Sequence, residues 1–303
     1  MSAQPALSFE RVTKRYGPTV AVDGLSFAIQ RGEMFGLIGP DGAGKTTSIR
    51  LLCGLVHADD GIVRVGGLDP VADHRSLTHV VGYLSQRFSL YGDLSIDENV
   101  AFFAEIHGVH DYAAARDRLL EMTQLIAFRD RLADQLSGGM KQKLALVCTL
   151  IHEPEILLLD EPTTGVDPVS RREFWKLLSH FLATGMTIVL STPYLDEAER
   201  CTRVALLDCG RLLALDTPGR LRARFEGTLF EMVTPDPRGA RDRLRAQGID
   251  AQVFGDRIHV WTPLRDVEEA ESFARTAAQT TGASQVRRIT PSLEDVYIAE
   301  LQR

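Results

Sequence analysis

The sequence predicts an α/β fold over its larger part and a small α+β fold at its C-terminal end. Three observations predict this. Strands alternate with helices from about residue 33 onward, as in a mainly parallel sheet. The Gly-rich turn "GPDGAGKTT", starting at Gly39, stands between a buried strand and a helix. Beyond about Gly219 the order becomes β-α-β-β-α-β, the split β-α-β or ferredoxin-like arrangement.

Residues 7–35 read as short β-rich runs, "LSFERVTKRY", "VAVDGLSFAI" and "EMFGLIG". The last is a buried strand that leads through the Gly-rich turn into a helix from about Lys45 to Leu55. "GIVRVGGLD" reads as a hairpin or edge strand, and "VVGYLSQ" as a further strand. From about Ser95 to Ala133 apolar residues recur at three- and four-residue spacings, which predicts helices. Another helix, "KQKLALVCTLIH", precedes the strand "EILLLDEP". "SRREFWKLLSHFLATG" is helical and "MTIVLST" is a strand. An acidic helix from Tyr194 and the strands "RVALLDCG" and "RLLALDTP" close the first domain. The boundary falls at about residue 223, giving domains over 7–223 and 224–303. In the second, "AQVFG" and "RIHVWT" form a hairpin turning at Gly255-Asp256, and "PSLEDVYIAELQR" is a closing helix.

The chain has 303 residues, is 44% hydrophobic and 25% charged, and carries a net charge of -7. The acidic balance argues against a dedicated nucleic-acid binder, so no nucleic-acid partner is expected. The four cysteines form no C-x-x-C pair and read as reduced thiols. The eight histidines show no metal-ligand spacing. The N-terminus lacks a basic segment followed by an apolar one, so no secretory signal is expected. No apolar run reaches the ~18 residues of a membrane span, so any membrane role requires a partner.

The turn Gly39-Pro40-Asp41-Gly42-Ala43-Gly44-Lys45-Thr46-Thr47 is a P-loop. Its backbone N–H groups would curl around phosphate oxygens, helped by the positive end of the following helix. Lys45 should reach the β- and γ-phosphates, the Thr46 hydroxyl should ligate Mg²⁺, and Thr47 should hold the α-phosphate end. The strand "ILLLDEP" ends in two carboxylates. Asp160 suits the loop's Mg²⁺, and Glu161 suits a general base for water. Taken alone, the pair has a fair competing reading as capping acids after a core strand; beside the P-loop it does not. "LSGGMKQKL" opens a helix with Ser137-Gly138-Gly139, a second anion-binding turn that is surplus for a simple kinase or GTPase.

Together these motifs resemble the nucleotide-binding domain of ATP-binding cassette (ABC) transporters, over roughly residues 7–220. Tyr16 in "KRYG", Gln86 in "LSQ" and Asp167 in "TTGVDP" complete the set. The resemblance implies a P-loop ATPase domain with an antiparallel β subdomain and a helical subdomain, using ATP and Mg²⁺. It implies a head-to-tail pair with a second nucleotide-binding domain, a homodimer or a close paralogue. Each ATP would lie between the P-loop of one subunit and the Ser-Gly-Gly turn of the other. By the same resemblance Tyr16 stacks on adenine, Gln86 touches Mg²⁺ or the attacking water, and Asp167 lies in the loop communicating across the dimer. "SLYGDLSIDENVAFFAEIHG", "YLDEAERC" and "PSLEDVYIAEL" are similar to single-cassette exporters of the drug-resistance branch. These work at the cytoplasmic face of the membrane, peripherally, through a separate transmembrane permease. The small C-terminal domain then reads as an accessory or dimerisation domain. The segment after Gln86, "RFSLYGDLSIDENV", would face the permease, with Phe102 and Phe103 as core residues of the helical subdomain.

Three positions depart from the family pattern. Asp41 stands where Asn is frequent, and Met140 where many signatures have Gln. Pro193, in "LSTPYLDEAE", stands where the family has a histidine that contacts the γ-phosphate. Two readings of Pro193 stand at this point: slow hydrolysis, or a hydroxyl from Thr192 or Tyr194 in place of the imidazole. The leading function is the ATPase of an exporter. The alternatives are a soluble ABC-type ATPase and a low-turnover ATP-gated switch.

Overall fold

The computed structural model describes residues 4–86 and 89–301. Two compact units divide at Pro218 and Gly219. The first begins with strands β1 (Leu7–Tyr16) and β2 (Thr19–Ile29), antiparallel, with Leu7 opposite Ile29 and Tyr16 opposite Thr19. Next come β3 (Met34–Ile38), helix α1 (Lys45–Leu52) and β4 (Asp60–Val65). β4 pairs with the free side of β1, giving a three-stranded antiparallel sheet in the order β2-β1-β4.

The chain then forms α2 (His74–Val80), β5 (Val81–Leu84), α3 (Ile96–Ile106), α4 (Ala113–Met122), α5 (Gly138–Leu150) and β6 (Ile156–Asp160). It continues through α6 (Pro168–Ala183), β7 (Thr187–Thr192), α7 (Leu195–Ala198), β8 (Arg203–Asp208) and β9 (Arg211–Asp216). A six-stranded sheet results, in the order β5-β6-β7-β3-β8-β9. All its neighbours are parallel except β8 and β9. β3, β6 and β7 are buried along their whole length, which is why they read as unbroken apolar runs. Phe9, Phe27 and Phe35 stack in series, linking the two sheets in one core.

Local chemistry sets the helix starts. Ser95 and Glu98 form a reciprocal capping box at α3. Asp167 caps α6, with Pro168 in the first turn. The structure also differs from the sequence expectations. α2 was not expected, since Leu77 is its only buried residue and leaves no periodic signal. The acidic helix after Tyr194 is a single turn, Leu195–Ala198. Phe102 and Phe103 are half-buried rather than core, and pack edge-to-face, Phe102 also against the exposed Tyr91. Arg87 and Phe88, at the start of the expected permease-facing segment, lie outside the described residues.

The second unit follows α8 (Pro218–Ala223) with β10 (Thr228–Val233), α9 (Pro237–Ala246), β11 (Ala251–Phe254) and β12 (Arg257–Thr262). α10 (Val267–Thr281), β13 (Gln285–Ile289) and α11 (Leu293–Leu301) complete it. Its sheet is antiparallel in the order β11-β12-β10-β13, the ferredoxin-like order expected from the element pattern. Met232, Ile258 and Val260 form its core with Ala240 and Leu244 of α9 and Ala270, Ala274 and Ala277 of α10.

Candidate nucleotide site

β3 lies between β7 and β8, and the Gly-rich turn leaves its C-terminal end. Ligands of open α/β sheets sit at the carboxyl ends of strands, where neighbouring connections diverge. β6 and β7 end beside it, carrying Asp160 and Ser191-Thr192. Three consecutive strands therefore present their ends to one place.

Gly44 caps α1 with φ 95°, and a Cβ there would stand 2.4 Å from Ala21 O. Only glycine fits both demands. Pro40, Asp41 and Gly42 are exposed at the tip of the turn, and Ala43 is buried beneath it, donating to Pro40 O at 3.2 Å. Lys45 is 4% exposed, and its ammonium donates to Gly39 O at 2.9 Å and Pro40 O at 3.0 Å. It also pairs with Glu161 Oε1 at 3.3 Å. Thr46 Oγ1 donates to Asp160 Oδ1 at 3.0 Å. Thr47 follows on α1, half-buried.

Glu161 adopts φ 48°, a left-handed conformation that costs a β-carbon residue about 1–3 kcal/mol. Surrounding contacts hold it there. Its N–H donates to Ser191 Oγ at 3.0 Å, and Ser191 Oγ donates in turn to Asp160 Oδ1 at 2.6 Å. Gln86 Nε2 donates to Glu161 Oε2 at 3.0 Å, and the Thr164 hydroxyl approaches the same oxygen at 3.4 Å. Lys45, Thr46, Gln86, Asp160 and Glu161 thus form one cluster.

The negative charge of Asp160 reaches its neighbours. Burial first, and the Asp160 carboxylate second, push the Tyr83 phenol up to about 12. The same two causes push the Cys53 thiol up. Thr46 hydroxyl, Asp160 carboxylate and Gln86 amide are all hard oxygen donors, the set that suits Mg²⁺. No group of three or more His, Cys, Asp or Glu side chains able to hold a metal ion occurs among the described residues.

Tyr16 ends β1 and is 44% exposed, with the Lys14 ammonium 5.5 Å from its ring centroid. Ser137 caps α5, accepting from Met140 N at 3.3 Å. Gly138 faces open space, whereas a Cβ on Gly139 would stand 2.2 Å from Ser170 Oγ. The two glycines therefore serve different needs: Gly139 lets the start of α6 approach, and Gly138 leaves a surface bare. Asp167 Oδ1 accepts from Val169 N and Ser170 N, each at 3.0 Å. Hydrogen bonds from Ser170 chiefly hold its carboxyl below the usual carboxylate range.

The sequence reading missed Ser191 and Glu197. Glu197 is 1% exposed and accepts from Thr163 Oγ1 at 2.5 Å, Arg171 Nε at 2.7 Å and Thr192 Oγ1 at 2.7 Å. It ties the ends of β6 and β7 to α6. Nothing local distinguishes it from a solvated acid in "LDEAER". Ser191 had a signal, a polar pair closing an apolar strand.

These contacts also bear on Pro193. Thr192 Oγ1 donates to Glu197 and accepts from Tyr194 N at 3.1 Å, so its hydrogen is already committed. The Tyr194 ring lies 5.1 Å from the Arg171 guanidinium.

The family model described as "ABC transporter" matches residues 22–164. The probable multidrug ABC transporter ATP-binding protein YbhF of Escherichia coli (strain K12) is 41% identical over 282 residues, 92% of this chain and 48% of that protein. This chain spans about half the length of that relative. The Nod factor export ATP-binding protein I of Burkholderia pseudomallei (strain K96243) is 37% identical over 302 residues, 98% of this chain and 97% of that one. A solved structure of the cassette MJ0796, a dimer in a post-hydrolysis state bound to ADP and Pi, is 26% identical with a TM-score of 0.62. It covers 70% of this chain and 98% of its own. Likeness along nearly the full length of both chains fixes the family: this protein belongs to the ATP-binding proteins of ABC transporters.

Proposed function

We propose that this protein hydrolyses ATP to power export through a separate transmembrane permease, working as one of two paired cassettes. The observation that carries the reading is the joint placement of Lys45, Thr46, Gln86, Asp160 and Glu161 beyond the C-terminal ends of β3, β5 and β6. The export-protein relatives support the transport role.

The roles follow from the chemistry of each group. The P-loop amides and Lys45 would bind the phosphates, and Tyr16 would carry the adenine on its exposed face. Thr46, Asp160 and Gln86 would hold Mg²⁺, which would supply positive charge against the phosphates. Glu161, positioned by Gln86 and by the Ser191 bridge, would accept the proton of the attacking water. Ser137 and Gly138 would meet the γ-phosphate of the partner cassette's nucleotide, with Gly139 allowing that turn to form and Asp167 holding α6 beside it.

No helix among the described residues is long and apolar enough to cross a membrane; in the proposed function the passage would be supplied by the permease. Tyr91 and Phe102 would contribute to its docking face, at the cytoplasmic side of the membrane. The unit after Pro218, expected from about residue 224, would act as an accessory or dimerisation domain.

Glu161→Gln tests the reading. It should keep ATP affinity within about threefold and lower phosphate release by at least about 100-fold, the size of a lost general base. Equal phosphate release by both proteins would overturn it. A second reading, an ATP-gated switch of low turnover, rests on Pro193, which brings no donor where the family has histidine.

A further inference from the structure

Glu161 and the two residues after it are held in succession by three different elements. The Glu161 N–H donates to Ser191 Oγ on β7. Pro162 O accepts from the side-chain amide of Gln142, which is fully buried on α5. The Thr163 hydroxyl donates to Glu197 Oε1 on α7. Anchors at each step keep the strained φ of Glu161, since the segment cannot relax without breaking one of them.

Glu197 is the anchor with the widest reach. Its other oxygen, Oε2, accepts from the hydroxyl of Thr192, the last residue of β7. One carboxylate thus joins the residue two beyond Glu161 to the end of the neighbouring strand. Pro193 follows with no N–H and no polar side chain. Arg171 and Trp175, four residues apart on one face of α6, direct Nε and Nε1 at Oε1, at 2.7 and 3.4 Å. Arg171 also pairs with Asp196 at 2.7 Å, which ties α7 to α6 a second time. α7 is a single turn with little stability of its own, so these bonds set where it stands. Glu197 is 1% exposed, and at such burial a charge-assisted hydrogen bond is strong and its loss costly.

We propose that Glu197 is a positioning residue for ATP hydrolysis, fixing the spacing between the ends of β6 and β7 so that Glu161 stays aligned with its water. The inference rests on the proposed role of Glu161 as the base. The four donors around Glu197 are all side chains of this chain, so it acts through Thr163 and Thr192 rather than on the nucleotide.

The test measures phosphate release by the full chain against ATP concentration. kcat is referred to the ATP bound at saturation in the same sample, so misfolded protein does not lower it. Glu197→Gln should lower kcat about 10- to 100-fold, the cost of a small misplacement of a reacting group, and leave KM within about threefold. Thr163→Val removes one hydroxyl and should lower kcat about tenfold. Thr163→Ser keeps that hydroxyl and should stay within about twofold of wild type. In the Glu197→Gln background, Thr163→Val should cost less than about twofold more, because both changes break one bond. If Glu197→Gln fails to fold, the two Thr163 variants decide alone. A loss carried by KM alone, equal kcat for Thr163→Val and Thr163→Ser, or multiplied losses in the double variant would overturn the proposal. Glu161→Gln is assayed beside them. Equal rates for it and wild type would remove the hydrolytic reading and this inference together. A gap between those two, with Glu197→Gln at the wild-type rate, would remove this inference alone.

Discussion

Glu161 is held by its neighbours more than by its own backbone preference. Its positive φ persists because Ser191 takes its N–H while Lys45 and Gln86 take its carboxylate. One residue pair, Asp160-Glu161, was legible from the sequence because it closes an apolar strand. Ser191 was harder to see, since its role depends on β6 and β7 being neighbours, a non-local pairing. Pro193 belongs to the same scale. Thr192 is engaged with Glu197 and Tyr194, which weakens the idea that its hydroxyl replaces the imidazole. Pro193→His in the assembled complex should therefore raise hydrolysis. A positioned donor in such a site is worth on the order of 2.7–4 kcal/mol, so the rise is bounded at about 100- to 1,000-fold. Phosphate release that stays level or falls would exclude Pro193 as a limit on turnover.

Among the elements, the buried strands were the most readable part of the fold. Their uniform burial wrote itself into the sequence as apolar runs, whereas α2 buries one residue and wrote nothing. Strand order was not readable, because it joins β3 to β7 and β8 across most of the chain. The start of α5 shows what geometry adds. A Ser-Gly-Gly turn suggests two glycines with one job, yet only Gly139 is crowded. Gly139→Ala should lower stability by about 1–3 kcal/mol, the usual range for overpacking, and pairing it with Ser170→Gly should recover much of the loss. Gly138→Ala should change stability by less than about 0.5 kcal/mol and still slow ATP hydrolysis, because its bare surface is the one proposed to meet phosphate. Thermal unfolding and phosphate release, measured on all variants, separate the two effects. Equal loss of stability at both positions would contradict the division of labour.

For the whole molecule, one part of the pH dependence of stability follows from histidines outside the nucleotide site. His152 stacks on His107 with ring centroids 3.9 Å apart, and its Nε2 lies 3.2 Å from Val81 O. Burial, then the neighbouring His107, push the His152 pKa from 6.5 down to about 4. Between those values the unfolded chain binds a proton at this imidazole that the folded chain does not. The contribution of His152 to stability is thus fully present above pH 6.5 and is lost as pH falls toward about 4. The melting temperature should drop across that window, and His152→Gln should flatten the drop. A profile of equal slope in both proteins would assign the acid sensitivity to other groups. The ferredoxin-like unit was legible from element order alone, since its strands and helices are short, local and cleanly bounded.

The ion pair between Lys45 and Glu161 has a consequence for timing. The lysine that should grip the nucleotide also holds the carboxylate that should deprotonate water. A γ-phosphate arriving at Lys45 competes for a cation that Glu161 already shares. On the proposed roles, capture of the nucleotide and release of the base would be a single exchange of partners, with loading and arming made by the same contact.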